Sequence, residues 1–122
     1  MVARERLICA SSQLEDGGDG VRFDLDLPSG PTPAFVVRYA GTARAFLNRC
    51  AHVPIELDWQ DGRFFDASGL YLICSVHGAH YEPDTGRCVM GPCKGQSLTV
   101  VPVIERDGNI YVTEQENGQR EA

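Results

Sequence analysis

The sequence predicts an all-β fold from three kinds of observation. Breaker residues recur at short intervals, with 13 glycines and 7 prolines among 122 residues. The segments between them are short and rich in β-branched and aromatic residues, and no stretch has a convincing helical period. Asp61-Gly62 and Asp107-Gly108 both have the sequence of hairpin turns. Short strands separated by turns at this spacing are typical of an antiparallel sandwich or barrel.

The predicted strands differ in how clearly the sequence marks them. Residues 21–27 give the clearest pattern, because apolar residues alternate with charged ones, as in a strand with one wet face. The other predicted strands cover residues 7–9, 34–39, 45–47, 70–74, 98–104 and 110–112. The last residues, 114–122, are polar, and we expect them to fray.

Length and composition indicate a single domain spanning residues 1–122, with a modest core. No apolar run approaches the roughly 18 to 20 residues that cross a membrane. The N-terminus lacks the apolar region of a secretion signal, so we expect a cytoplasmic location. The net charge of −6 makes nucleic acid and anionic membranes poor partners. The acidity either only keeps the protein soluble or steers a basic protein partner toward it.

The cysteines and histidines are the residues that indicate a metal site. An odd number of cysteines does not suit a fully paired disulfide scaffold, and in a reducing cytosol metal binding explains at least two of them better. The motifs Cys50-Ala51-His52 and Cys74-Ser75-Val76-His77 each combine a thiolate with an imidazole. Four ligands of two kinds on two segments suit a metal centre with two unlike halves. The five cysteines are at positions 9, 50, 74, 88 and 93.

These motifs resemble those of the Rieske [2Fe-2S] family, and the similarity spans about residues 4–113. The stretch CSVHGAHYEPDTGRC, which begins at Cys74, and the following Gly91-Pro92-Cys93 are similar to the second ligand loop, hairpin and covering proline loop of Rieske domains. The resemblance implies one [2Fe-2S] cluster per chain. In it, Cys50 and Cys74 would ligate one iron through sulfur, and His52 and His77 would ligate the other through a ring nitrogen.

The two ligand motifs also divide the chain. Residues 48–95 are interpreted as a small cluster-binding subdomain. The flanking segments, about 1–47 and 96–113, are expected to pair with each other. The predicted architecture is therefore a Rieske-like antiparallel β-sandwich or barrel base that carries the subdomain.

The ligand set and its neighbours predict the redox behaviour. Two thiolates and two neutral imidazoles leave the oxidised cluster uncharged, so it is reduced more easily than an all-thiolate cluster. Rieske potentials span roughly −150 to +300 mV. Compared with the respiratory branch of the family, Ile55 and Val76 stand at the positions of its disulfide, and Ala79 replaces a serine that donates to a bridging sulfide. Tyr81, at the second donor position, is retained. Because a donor to the reduced cluster is lost, we expect a potential near the low end.

The resemblance implies a soluble Rieske-type ferredoxin. It would carry one electron from a flavoprotein reductase to an oxygenase, such as a ring-hydroxylating dioxygenase. The alternative is an accessory redox subunit that resembles the nitrite reductase small subunit, and a redox or pH sensor is a third possibility. A catalytic oxygenase subunit is excluded, because its mononuclear iron needs two further histidines and a carboxylate, whereas His80 alone remains. We therefore interpret the chain as an electron-transfer component.

The remaining candidates have simpler interpretations. His80 is expected at the surface or beside the ligand loop, turned away from Tyr81. Cys88 and Cys93 are expected to pack as small apolar residues, although a redox-sensitive dithiol, or a zinc site with Cys74 and His77, stays open.

Aromatic and glycine-rich segments complete the expectations. Trp59, Phe64 and Phe65 are expected to form a satellite core, with partner docking as an alternative role for one of them. Cys9 is expected in the core. Residues 17–20 form a glycine-rich run without the lysine of a phosphate loop, so we expect a flexible turn.

Overall fold

The computed structural model describes residues 3–27, 30–50, 56–58, 62–74, 78–91 and 95–115. These residues form ten strands in three antiparallel sheets, which confirms the all-β prediction. Among them, no helix is long and apolar enough to cross a membrane. The strands are β1 Ala3–Ala10, β2 Val21–Leu27, β3 Gly30–Tyr39, β4 Thr42–Leu47, β5 Leu72–Ile73, β6 His80–Tyr81, β7 Cys88–Met90, β8 Val100–Val101, β9 Val103–Arg106 and β10 Asn109–Gln115, with one 3-10 turn at Ser11–Gln13.

Two sheets form the base of the molecule, in the orders β1-β10-β9 and β2-β3-β4-β8. The pairings of β1 with β10 and of β4 with β8 join the segments on either side of the ligand motifs, as predicted. The predicted strand over residues 98–104 is divided at Pro102, and its two parts belong to different sheets. Proline lacks the N–H that would continue a ladder, so the chain changes sheet there.

The third sheet, β5-β6-β7, brings together short strands next to the second ligand motif. β5 ends immediately before Cys74, and β6 begins three residues after His77. The predicted strand over residues 70–74 is therefore shortened to two residues. β6 and β7 were not predicted, because their sequences are short and bordered by turn residues.

Two apolar cores lie on opposite faces of β3. Ala34 and Val36 belong to the base core, which also contains Cys9, Ile110 and Val112. Phe35 and Val37 face the other way into a junction core. The members of the junction core are Phe35, Val37, Phe46, Cys50, Leu57, Phe64, Leu72, Cys74, Ala79, Tyr81, Cys88 and Leu98. The alternation of the buried residues 34–37 of β3 thus separates the base from the ligand-bearing side.

The junction core joins the subdomain to the base through close contacts. Phe64 stacks on Phe35 with ring centroids 3.9 Å apart, so Phe64 is part of this core rather than of a separate satellite. Phe65 is half-buried and packs against it, whereas Trp59 lies outside the described residues. A Cβ added to Gly86 would lie 2.8 Å from the Phe46 ring. The turn between β6 and β7 therefore presses directly on β4.

Turn and tail predictions have mixed outcomes. Asp107 and Gly108 both have positive φ, 54° and 78°, which confirms the hairpin turn between β9 and β10. Gly62 also has positive φ, and Asp61 lies outside the described residues. The prediction that fraying begins at residue 114 was wrong for the first two residues, because β10 continues through position 115 opposite the start of β1. Residues 116–122 lie outside the described residues.

The glycine-rich run is tied down and is not a free turn. The Gly17 N–H donates to the Arg38 carbonyl at 2.9 Å, and the Gly20 N–H donates to the Gly62 carbonyl at 2.8 Å. A Cβ on Gly20 would lie 2.7 Å from the carbonyl oxygen of Val36. The glycines allow this segment to pass against β3, a requirement that composition alone does not reveal.

Candidate metal centre

The two cysteines of the ligand motifs lie in one core. Cys50 follows β4 and Cys74 follows β5, and they are 2% and 0% exposed. His52 and His77 lie outside the described residues. The structure thus brings the two predicted sulfur ligands into the junction core, and the assignment of the two histidines stays a prediction.

Tyr81 links the two ligand segments through its hydroxyl. Its ring is fully buried on β6, and its hydroxyl oxygen is 3.3 Å from the Cys50 sulfur. When Cys50 is a thiolate, the phenol is the donor and the sulfur is the acceptor. The sequence placed Tyr81 at a donor position, and the geometry identifies the Cys50 sulfur as its partner.

The second ligand loop is closed by backbone hydrogen bonds at both ends. The Gly78 N–H donates to the Cys74 carbonyl at 2.7 Å, and the Cys74 N–H donates to the Ala79 carbonyl at 2.9 Å. Gly78 has a φ of 72°, in the left-handed region. Among the described residues, no heavy atom beyond its chain neighbours lies within 4 Å of a Cβ built there. Glycine is therefore favoured at this position by the backbone conformation rather than by lack of space.

The chain after β7 passes directly over this loop. A Cβ added to Gly91 would lie 2.8 Å from the Cα of Ala79. Ala79 is fully buried, and its methyl group offers no hydroxyl donor. The absence of a side chain at Gly91 thus allows the chain after β7 to approach the Ala79 backbone. Pro92 and Cys93 lie outside the described residues.

A buried polar network fixes the start of the first ligand loop. The Asn48 side-chain amide donates to Asp58 Oδ1 at 3.1 Å, and its carbonyl accepts the Leu57 N–H at 2.9 Å. The second Asp58 oxygen accepts the Gly62 N–H at 3.0 Å and lies 3.5 Å from Arg22 Nε. These groups anchor the chain two residues before Cys50. Sequence analysis missed them, because nothing in the local pattern distinguishes a buried Asn48 from an exposed one.

His80 has the predicted orientation and further contacts. Its neighbours Ala79 and Tyr81 are fully buried, whereas the His80 ring projects to the opposite side. His80 Nδ1 is 2.8 Å from the Gly78 carbonyl oxygen, and Nε2 is 3.6 Å from Asp66 Oδ2. The Tyr71 ring meets the imidazole edge-on, with centroids 6.0 Å apart.

Asp66 is held in its charged form by several groups. Burial favours the neutral acid, but hydrogen bonds from the Ser68 side chain and from the backbone of Tyr71 and Ser68 outweigh it. With the nearby His80, they lower the pKa of Asp66. The turn between the ligand motifs therefore carries a fixed carboxylate beside the second loop.

Two of the remaining cysteines, Cys88 and Cys9, are buried in the two apolar cores. Cys88 is 1% exposed, and its thiol donates to the Met90 carbonyl at 3.3 Å. Cys9 is buried in the base core. Both observations confirm the packing predictions for these two residues. A dithiol with Cys93, and the zinc alternative, depend on residues outside the described part of the chain.

The described half of the site fits a metal cluster. Burying a thiolate is costly unless a cation or a donor compensates it. Here two buried thiols share one core, and a phenol hydroxyl lies beside one of them. This is the donor chemistry required on the sulfur side of a mixed-ligand [2Fe-2S] centre.

Comparisons with known proteins identify the family of the chain. Residues 5–105 match the family model of the Rieske [2Fe-2S] domain. A curated relative, the 3-phenylpropionate/cinnamic acid dioxygenase ferredoxin subunit of Photorhabdus laumondii, is 28% identical over 110 residues, which are 89% of this chain and 93% of the relative.

Solved structures share the fold. The ferredoxin of carbazole 1,9a-dioxygenase from Nocardioides aromaticivorans IC177 superposes with a TM-score of 0.72 at 24% identity, over 91% of this chain and 98% of its own. A ferredoxin of Sphingomonas yanoikuyae B1 gives a TM-score of 0.72 at 20% identity, over 92% and 100% of the two chains. At these identities the likeness shows the fold alone.

Proposed function

The chain belongs to the Rieske [2Fe-2S] domain family, and from this premise we propose that it is the ferredoxin component of a dioxygenase system. Family membership implies a Rieske-type [2Fe-2S] cluster as the cofactor. The convergence of Cys50 and Cys74 in one buried core is the observation that carries the proposal. When bound, the cluster accepts and releases one electron.

The proposed ligands are Cys50 and Cys74 for one iron and His52 and His77 for the other. The core around the two thiols excludes water from the sulfur side, and Tyr81 supplies a hydrogen bond that stabilises negative charge on Cys50. Gly78 and Gly91 set the backbone of the loop and of its cover. On this assignment, the domain is one unit over residues 1–122, with the cluster-binding subdomain at about 48–95.

The proposed partners are an oxygenase and a flavoprotein reductase. The oxygenase is supported by the curated relative, which is named as a dioxygenase ferredoxin subunit, and by a structural neighbour named as a complex of oxygenase and ferredoxin. The net charge of −6 suits brief, electrostatically steered encounters with basic partner surfaces. The absence of a membrane-spanning helix among the described residues is compatible with a cytoplasmic carrier.

The proposal is tested first by spectroscopy and then by turnover. EPR of the dithionite-reduced protein should give the lower average g of a mixed nitrogen and sulfur centre, and His52→Cys or His77→Cys should change that signature. Purified protein should then cycle between a flavoprotein reductase and an oxygenase. Zinc in place of iron and sulfide would refute the cofactor. Stable co-purification with a large enzyme subunit would instead favour the accessory-subunit alternative.

We also propose that the midpoint potential lies near the low end of the Rieske range, roughly −150 mV. The supporting observation is that Ala79, buried beside the loop, carries a methyl group in place of a hydroxyl donor. Ala79→Ser should therefore raise the midpoint. A wild-type midpoint above about +100 mV, or a fall in the variant, would contradict this explanation.

A further inference from the structure

The position of His80 in the small sheet is tightly defined. Its backbone lies between those of Ile73 on β5 and Met90 on β7. The pairing of β6 with β7 shifts register between His80 and Tyr81, so a bulge separates the two positions. Strand alternation then sends Tyr81 into the junction core and the imidazole to the outer side. The backbone pairing on both sides of β6 therefore fixes the position of the His80 Cα, from which the imidazole extends.

We propose that His80 is a positioning residue that orients the second ligand loop by donating Nδ1–H to the Gly78 carbonyl. The inference rests on the assignment of His77 as a ligand, because Gly78 is the residue that follows it. The 2.8 Å separation is that of a well-formed hydrogen bond.

The physical effect follows from the planarity of the peptide. In a trans peptide the carbonyl and the next N–H point in opposite directions. Holding the Gly78 carbonyl toward His80 therefore directs the Ala79 N–H away from the imidazole. Gly78 has the broadest conformational freedom of any residue type, so this external bond replaces a constraint that a side chain would otherwise supply.

Asp66 lies on the other side of the ring. Its Oδ2 is 3.6 Å from Nε2, which is beyond hydrogen-bond distance. Asp66 is itself fixed by the Ser68 hydroxyl at 2.7 Å and the Ser68 N–H at 3.1 Å. The bridge from Phe65 to Leu72 brings this turn beside the small sheet. The segment between the two ligand motifs thereby places Asp66 next to the imidazole.

Two amide substitutions at position 80 distinguish the contact of Nδ1 with Gly78 from the contact of Nε2 with Asp66. His80→Asn places an amide nitrogen near the position of Nδ1, and His80→Gln places one near Nε2. The asparagine variant should keep the wild-type midpoint and EPR line shape, because it can still donate to Gly78. The glutamine variant should broaden the EPR features and lower the equilibrium constant for reduction about threefold, or about 30 mV at 59 mV per tenfold change.

Matched controls make each outcome decisive. Met90→Gln, at an exposed neighbour opposite His80, should leave both readouts unchanged, and iron and sulfide per chain should be equal in all variants. If Asn and Gln at position 80 behave alike, whether both are silent or both are shifted, the Gly78 bond is not the cause and the proposal is overturned. If the wild-type protein itself lacks a Rieske spectrum, the ligand assignment fails, which is a distinguishable result.

Discussion

The base and the proposed cluster-binding subdomain differ in the length of their strands and in what stabilises them. In the base, β2 pairs with β3 over seven consecutive positions, and β1 and β10 form a ladder of similar length. In the subdomain, β5, β6 and β7 contain two or three residues each. Isolated strands this short supply few ladder bonds. The base can therefore be specified by its own backbone pairing, whereas the subdomain depends on the junction core and on bonds to its cofactor.

Removing a sulfur ligand is the strongest test of this difference between the base and the subdomain. Cys74→Ser should abolish the assembled cluster, because a hydroxyl is a poor substitute for thiolate at iron. The base strands should stay folded while the subdomain loses protection. Iron and sulfide analysis would report the cluster, and amide hydrogen exchange would compare residues 103–113 with residues 72–74 and 78–81.

Cys9→Ser is the matched control in the base core. It also replaces a buried thiol, but it should leave iron and sulfide content unchanged and reduce stability modestly. If Cys74→Ser unfolds the base and the subdomain together, the two regions form one cooperative unit and the comparison is wrong.

Two glycines of the subdomain offer a finer test. Gly91→Ala should destabilise the protein by about 2 to 4 kcal/mol, because the added Cβ meets the Ala79 backbone at 2.8 Å in addition to the cost of positive φ. Gly78→Ala should cost about 1 to 2 kcal/mol, because it adds backbone strain without a clash. Chemical denaturation of the loaded protein would measure both. Equal costs would show that the covering segment moves aside freely.

The stability of the base should decrease in acid because of one ion pair, between Arg38 and Glu105. Arg38 binds both carboxylate oxygens of Glu105, at 3.1 and 2.8 Å. This hydrogen bonding to Arg38 lowers the pKa of Glu105 against the opposing effect of burial. Because the folded pKa is below the unfolded one, the contribution is present above the ordinary value of 4.5 and is lost as pH falls through the folded pKa.

Glu105→Gln should therefore lower stability near neutral pH and flatten its decline in acid. The expected loss is about 1 kcal/mol at most, since the carboxylate is partly exposed. Thermal unfolding between pH 3 and 7 measures the effect, and Glu5→Gln, in the more exposed pair with Arg106, is the control. An unchanged pH profile in Glu105→Gln would contradict the assignment.

The smallest expected effect is on the potential. Tyr81→Phe removes the hydroxyl beside the Cys50 sulfur and leaves the buried ring in place. Because reduction adds negative charge to the centre, the midpoint should fall. A tenfold loss of preference for the reduced state corresponds to about 59 mV. Potentiometric titration measures the shift, and a rise would mean that the hydroxyl stabilises the oxidised state.

Sequence patterns predicted the base more completely than the subdomain. The alternation in residues 21–27 reproduces β2 without error, because one face is apolar and the other charged. β6 was missed, since a two-residue strand between Gly78 and the following turn has no period to detect. The sequence shows a proline at position 102, but it does not show that the chain changes sheet there. That change depends on the pairing of β8 with β4 and of β9 with β10, which are distant in sequence.

The site was predictable to the extent that it is local in sequence. The spacing in Cys50-Ala51-His52 and Cys74-Ser75-Val76-His77 identified the cysteines that the structure brings together. The contact between Asp66 and His80 was not predictable, because it requires the pairing of Phe65 with Leu72. The Asn48 and Asp58 network was hidden for a related reason, since burial of a polar side chain is set by tertiary packing.

The contact between Gly86 and the Phe46 ring limits how the protein can be re-engineered. Moving residues 48–95 onto another scaffold would leave behind the aromatic surface on which the turn after β6 rests. A successful graft would need a ring at the equivalent place on the receiving strand, and a partner for the Gly86 carbonyl such as the Leu98 N–H provides at 2.8 Å. The portable unit is thus larger than the interval that contains the ligand motifs.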